Sequence, residues 1–270
     1  MKICFSTLGC PDWSWSEITS TAKDFGYDGI EVRGIGKELY VPRARPFHQN
    51  RIDKTKARLV DMGLKISCLT SSCLLGDKAR NEQSYNEGKD YIDLAARLEV
   101  PYIRVLGDGR PQPSSAVDQD NVIYMLKRLG DYAEGKGVTV LIETNGIYAE
   151  SRVMEALMKD VDHSNVAVLW DIHHPFRFYG EPVEETHGRL KDYIKHVHLK
   201  DSVMGDNGLT YCMMGRGDVP IDKGIALLKK DGYSGYISLE WVKRWYISLE
   251  EPGIVYSYFI KYIKKIMEDS

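Results

Sequence analysis

Val138-Thr139-Val140-Leu141-Ile142-Glu143 is an apolar, β-branched run closed by a glutamate, and the same format recurs three times downstream. Val166-Ala167-Val168-Leu169-Trp170-Asp171, Ile194-Lys195-His196-Val197-His198 and Tyr236-Ile237-Ser238-Leu239-Glu240 each read as a buried strand that ends in a potential metal ligand. Upstream, strand patterns over Lys2 to Ser6, Gly29 to Arg33, Lys65 to Thr70 and Tyr102 to Leu106 alternate with helical patterns over Trp15 to Phe25, Phe47 to Met62, Glu82 to Leu98 and Gln119 to Lys136. The four ligand-bearing strands are followed by helical patterns near Ser151 to Lys159, Pro182 to Tyr193, Ile221 to Lys230 and Glu251 to Met267. Eight strand–helix alternations predict a parallel sheet, and eight is the number that closes a barrel. Glycines at the junctions Phe25-Gly26-Tyr27, Met62-Gly63-Leu64, Lys136-Gly137-Val138 and Asp231-Gly232-Tyr233 suit left-handed helix caps before the next strand.

No linker-like tract or break in composition divides the chain, so the expectation is a single (β/α)8 TIM barrel over residues 1–270. An open doubly wound sheet is the runner-up, disfavoured because no Gly-x-Gly-x-x-Gly follows the first strand. With 43% hydrophobic and 28% charged residues and a net charge of −3, the chain has no global attraction for phosphate backbones or anionic membranes. Its five widely spaced cysteines read as reduced thiols. Together with the lack of a signal-length or membrane-length apolar segment, they predict a cytoplasmic protein.

In a parallel barrel the site forms at the carboxyl ends of the strands, where all four ligand candidates lie. Ile142, Trp170, Val197 and Leu239 precede them and are expected to face the helices, which turns Glu143, Asp171, His198 and Glu240 toward the barrel axis. One acid or histidine at a strand end is ordinarily a solvated group; four consecutive strands delivering the same chemistry predict one site. Three carboxylates and an imidazole suit a single divalent ion, Mn²⁺ preferred, with Zn²⁺, Co²⁺ or Mg²⁺ as alternatives. Glu143 and Glu240 are the candidate catalytic residues, an acid/base pair on opposite sides of a metal-stabilised enediolate.

The segments Leu141-Ile142-Glu143-Thr144-Asn145, Asp171-Ile172-His173-His174, His196-Val197-His198-Leu199-Lys200-Asp201, Gly215-Arg216-Gly217-Asp218-Val219-Pro220 and Gly235-Tyr236-Ile237-Ser238-Leu239-Glu240-Trp241 resemble the sugar phosphate isomerase/epimerase family of xylose isomerase-like TIM barrels. The resemblance spans nearly the whole chain, including Gly26-Tyr27-Asp28-Gly29-Ile30-Glu31. It implies one divalent metal on Glu143, Asp171, His198 and Glu240, and proton transfer next to the carbonyl of a ketose or related polyol. Such proteins include ketose 3-epimerases, hydroxypyruvate isomerases, inosose dehydratases and dehydroshikimate dehydratases, so an isomerase or epimerase is expected, with a dehydratase as the alternative. The epimerases carry an arginine shortly after the histidine ligand, where this chain has Ser202-Val203-Met204, and that departure weighs against ketose 3-epimerisation.

The family's Asp-x-x-His pattern points to His174 as a substrate contact. Lys200 shares the parity of His198 and is placed to meet an enolate oxygen or carboxylate. Arg216, in a glycine-flanked turn, and Lys243, beside Trp241 and Trp245, are further substrate-binding candidates, as are Glu31 and Arg33 across the barrel. The alternatives for these six are a loop histidine, a snorkelling lysine, a solvated turn and a local ion pair. Cys10, Cys68 and Cys73 read as packing residues. Trp245 and the aromatic final helix suit a contact in a homo-oligomer.

Two rivals use the same fold. An endonuclease IV-like nuclease needs a three-metal cluster, and its histidines are replaced here by Thr70-Ser71-Ser72 and Leu106-Gly107-Asp108. Nucleic acid is therefore not an expected partner, and neither is a membrane. A non-catalytic sugar-binding barrel is disfavoured by retention of both glutamates.

Overall fold

The computed structural model describes residues 1–114, 116–206 and 208–269. Eight parallel strands close in the order β1 (Lys2–Ser6), β10 (Tyr236–Leu239), β7 (Ile194–Leu199), β6 (Val166–Asp171), β5 (Thr139–Glu143), β4 (Tyr102–Leu106), β3 (Lys65–Leu74), β2 (Gly29–Val32). Pairing of Phe5 with Leu239 closes the ring. Around it lie α1 (Trp15–Phe25), α2 (Ile52–Met62), α3 (Asn81–Leu98), α4 (Gln119–Ala133), α5 (Ser151–Val161), α6 (His173–Tyr179), α7 (Val183–Leu190), α8 (Ile221–Lys230) and α9 (Pro252–Asp269). The fold is the expected single (β/α)8 barrel.

Period-2 alternation divides the strand residues between two cores. Ile142, Trp170, Val197 and Leu239 join the large core between strands and helices. Leu141, Ala167 and Leu169, of the opposite parity, form a separate small cluster with Tyr102 at the barrel axis. This plug lies on the same faces as the ligand candidates, which therefore sit above it at the carboxyl rim. Gly26 and Gly63 adopt the left-handed conformation at helix ends, with φ of 75° and 68°, and their N–H groups cap the preceding turn.

The structure departs from the sequence-based expectation in four places. The helix expected from Phe47 begins at Ile52, because Pro42 and Pro46 hold the approach in two 3-10 turns. Strand β3 runs past Thr70 to Leu74, where Ser71 Oγ donates to the Arg104 carbonyl and keeps the extension tied to β4. Helix α6 stands between β6 and the helical pattern near Pro182 to Tyr193, in a segment to which the sequence assigns no helix, and Pro175 occupies its first turn, where a missing N–H costs nothing. An antiparallel hairpin, β8 (Asp201–Gly205) with β9 (Gly208–Cys212), stands on the rim after β7. No described helix is long and apolar enough to cross a membrane.

Candidate metal centre

Ligand atoms of Glu143, Asp171, His198 and Glu240 lie within 4.8 Å of one another, all four side chains being buried. Register brings them level: Asp171 pairs with His198 across β6 and β7, and the Glu240 N–H donates to the Leu199 carbonyl just beyond β10. Each carboxylate is tethered by one oxygen. Asp171 Oδ1 accepts the N–H groups of His173 and His174 at the start of α6, Glu143 Oε2 lies 3.1 Å from Arg104 Nε, and Glu240 Oε2 accepts from Lys200 Nζ. The second oxygens face one atom, His198 Nδ1, at 3.4 Å for Glu240, 3.8 Å for Asp171 and 3.9 Å for Glu143. Lys200 also bridges to Asp171 Oδ2.

The histidine is oriented from below. Glu31 Oε2 accepts from Nε2 of both His196 and His198 at 2.8 Å, which leaves the Nδ1 of each ring buried without a hydrogen-bond partner, and that of His198 is the one the three carboxylates face. A carboxylate fixing the far nitrogen of a ligating imidazole is the usual support of a metal-bound histidine. The orphaned nitrogen and three oxygens facing it fit a hard or borderline divalent ion.

Charge is crowded here. Burial and the neighbouring Glu240 and Asp171 push the Glu143 carboxyl up to about 7, against the opposing pull of Arg104. Burial also acts to raise Glu240, but Lys200 and His198 overcome it and hold this carboxyl at about 2. For His198 burial favours the neutral ring, yet Glu31 and Glu240 outweigh it and lift the imidazole to about 9. His174 is driven well below the usual histidine range by burial and by Lys200. Its Nδ1 lies 2.9 Å from the Thr144 carbonyl, which can only accept, so the proton sits on Nδ1 and Nε2 carries the lone pair.

Above the cluster opens a cavity of about 440 Å³ whose lining includes Glu143, Glu240, His174, Lys200, Arg33 and Arg104. Larger hollows lie elsewhere, one of about 610 Å³ between α1 and α2, but none contains this chemistry. Asp171 and His198 are fully buried beneath the cavity floor.

Of the substrate candidates, His174, Lys200 and Arg33 reach the cavity, and three do not. Glu31 is sealed under His198, where two imidazoles occupy one of its oxygens. Arg216 is exposed on its turn, which is cinched to Asp201 through the N–H groups of Gly215, Gly217 and Val219. Lys243 is buried, but its ammonium ties down the following loop through the carbonyls of Ile247 and Leu249 and the carboxylate of Glu251. His173 turns away to Ser202 Oγ and stacks on Tyr211. Burial raises the thiols of Cys10, Cys68 and Cys73, in keeping with packing residues.

Arg104, Arg80 and Tyr211 also line the cavity and were not among the sequence candidates. Arg104 had a signal: it is a lone charge at the inward parity of Tyr102-Ile103-Arg104-Val105-Leu106. Tyr211 arrives on the rim hairpin, which lies outside the eight strand–helix alternations read from the sequence.

A family model described as Xylose isomerase-like TIM barrel matches residues 20–258. The chain is similar to the inosose isomerase of Halalkalibacterium halodurans, 22% identical with 92% of this chain and 90% of that protein covered. It is also similar to the L-ribulose 3-epimerase of a Methylomonas species, 24% identical over 85% of this chain and 80% of the relative. Among solved structures, the probable 3-DHS dehydratase AsbF of Bacillus anthracis superposes with a TM-score of 0.80 at 19% identity, covering 98% of this chain and 99% of that one.

Proposed function

This chain belongs to the xylose isomerase-like TIM barrel family, and from that membership we propose that it is an isomerase or epimerase moving a proton at the carbon next to a carbonyl in a ketose or related polyol. The carrying observation is the division of the cluster: Glu143 and Glu240 line the cavity, while Asp171 and His198 are buried below it. Two carboxylates exposed to substrate on a floor of two buried ligands is the arrangement an acid/base pair requires.

One divalent ion, preferably Mn²⁺, would be held by Glu143, Asp171, His198 and Glu240, and would supply the positive charge that polarises the substrate carbonyl and acidifies the adjacent C–H. Glu143 Oε1 faces the position of the ion beside His198 Nδ1, so Oε2, which Arg104 orients, is the oxygen left to accept the proton. Glu240, just beyond β10, stands three strands from Glu143 around the ring, with β6 and β7 between them, and supplies a proton from its own side. Lys200 offers an ammonium beside Asp171 and Glu240 for a developing oxyanion. The His174 lone pair on Nε2 lies within 3.7 Å of Asp171 Oδ2 and is available to a substrate hydroxyl.

The same groups serve a dehydratase if the proton that Glu143 takes from carbon is handed to a departing hydroxyl, and the resemblance in fold to a dehydratase keeps that reading second. Incubating the Mn²⁺-loaded protein with ketoses, keto acids and inososes in heavy water separates them. An isomerase or epimerase gives deuterium at the carbon next to the carbonyl with mass otherwise conserved; a dehydratase gives an unsaturated ketone and water. A metal-replete protein that exchanges no proton with any of these compounds would be a binding module, and the enzyme reading would fall.

A further inference from the structure

The site is built from two halves of opposite sign. Its four ligand candidates come from β5, β6, β7 and the end of β10, all on one arc of the ring. The facing arc, β2 to β4, brings cations: Arg33 directly after β2, Arg104 in β4, and Arg80 from the turn that precedes α3. Counting the lining alone, Arg33, Arg80, Arg104 and Lys200 set four positive charges against the two of Glu143 and Glu240.

Two of these cations have partners among the ligand groups. Arg104 reaches Glu143 and the Ser71 carbonyl, and Lys200 bridges Asp171 and Glu240. Arg33 does not. It is only 8% exposed, Nη2 donates to Ser72 Oγ at 2.7 Å, and the buried Nη1 has no hydrogen-bond partner. Among the described residues it forms no ion pair. Glu87, the acid behind it, is turned to the Ser72 N–H at 2.7 Å. Burial and the proximity of Arg104 already act against its charge, pulling the guanidinium down to about 10. Arg80 is half-buried at the same wall, with Nε on Gln83 Oε1; among the described residues it forms no ion pair, and like Arg33 it feels Glu87 only from a distance.

A buried guanidinium without an acceptor is costly, and a neutral polyol returns less of that cost than an anion does. We propose that the substrate of this site carries a carboxylate seated on Arg33 and Arg80, with its carbonyl end turned toward Glu143 and Glu240. Acidic keto sugars and cyclic keto acids are the matching class; neutral ketoses are not. A carboxylate suits this wall better than a phosphate, because among the described lining residues Gly109 is the single glycine and no glycine-rich backbone cradle is formed. This inference rests on the carbonyl chemistry proposed above for the opposite wall, but concerns a different set of residues.

Isothermal titration of the Mn²⁺-loaded full chain with 5-keto-D-gluconate, D-fructose and D-fructose 6-phosphate tests it at equilibrium, independent of turnover. The keto acid is expected to bind at least tenfold more tightly than either of the others. Arg33→Gln should remove at least tenfold of that affinity and Arg80→Gln at least threefold, with D-fructose changed less than twofold in both. Arg80 stands at the rim, so its variant gives a result even if Arg33→Gln proves too unstable to purify. Equal affinity for the keto acid and D-fructose, tighter binding of the phosphate, or undiminished keto-acid binding in the variants would overturn the proposal. Deuterium exchange confined to neutral ketoses would sink this inference and leave the proposed chemistry standing. Selective keto-acid binding without exchange would do the reverse.

Discussion

At the scale of single residues, Glu31 has the most leverage for a group that never meets the cavity. By accepting from two imidazoles on one oxygen it decides which nitrogen His198 offers upward. Glu31→Gln keeps the shape but weakens that acceptor and lets His198 adopt the other tautomer. Mn²⁺ affinity, read by titration calorimetry, should fall about 10- to 100-fold with the barrel's circular dichroism retained. Unaltered affinity would show that His198 needs no such support. Glu240→Gln is expected to separate two roles, because its amide oxygen can still face the metal position while the proton function is lost. Exchange should drop by about 10²- to 10⁴-fold with metal binding only partly weakened; full exchange activity with metal bound would remove Glu240 from the acid/base pair.

Among the elements, the rim hairpin and the turn after it are organised by Asp201, which accepts the N–H groups of Ser202, Gly215, Gly217 and Val219. Gly217 is required there, since a Cβ would stand 2.0 Å from Asp201 Oδ1. Asp201→Ala leaves several backbone donors without their acceptor and should cost on the order of 3 kcal/mol in a urea melt. A faster proteolytic cut in the hairpin should accompany it, whereas a wild-type melt would mean that water replaces the carboxylate at no loss. The barrel and its four converging groups were legible in the sequence because each strand announces itself by apolar content and each ligand by its parity. What sequence could not resolve was the direction of long side chains. Lys243 and Arg216 sit in segments that border the mouth, yet their heads are spent on a loop and on solvent. Arg33 and Glu31 are two residues apart with the same parity, and only depth along the axis separates a cavity wall from a support beneath it.

For the molecule as a whole, the buried carboxylates place much of the charge tension in one spot, held by Lys200, Arg104 and His198. An ion that binds only the folded chain should stabilise it by about 2.7 kcal/mol at a hundredfold excess over Kd, raising Tm by roughly 5–10 °C. A chelator should reverse the shift, and a melt indifferent to Mn²⁺, Zn²⁺, Co²⁺ and Mg²⁺ alike would argue against a metal at the cluster. The two-signed arrangement of the site also bears on descent. The ligand groups lie between residues 143 and 240, and Arg33, Arg80 and Arg104 all precede them in the chain. On the assignments proposed here, Arg33 and Arg80 in the first part of the polypeptide select the molecule, while the ligand groups and the acid/base pair come from the second. Neither arginine forms an ion pair with the four ligand groups, so substitutions at these two positions can exchange substrates while a lineage inherits its catalytic apparatus intact, whereas Glu31 and Arg104 hold His198 and Glu143 and are bound to that apparatus.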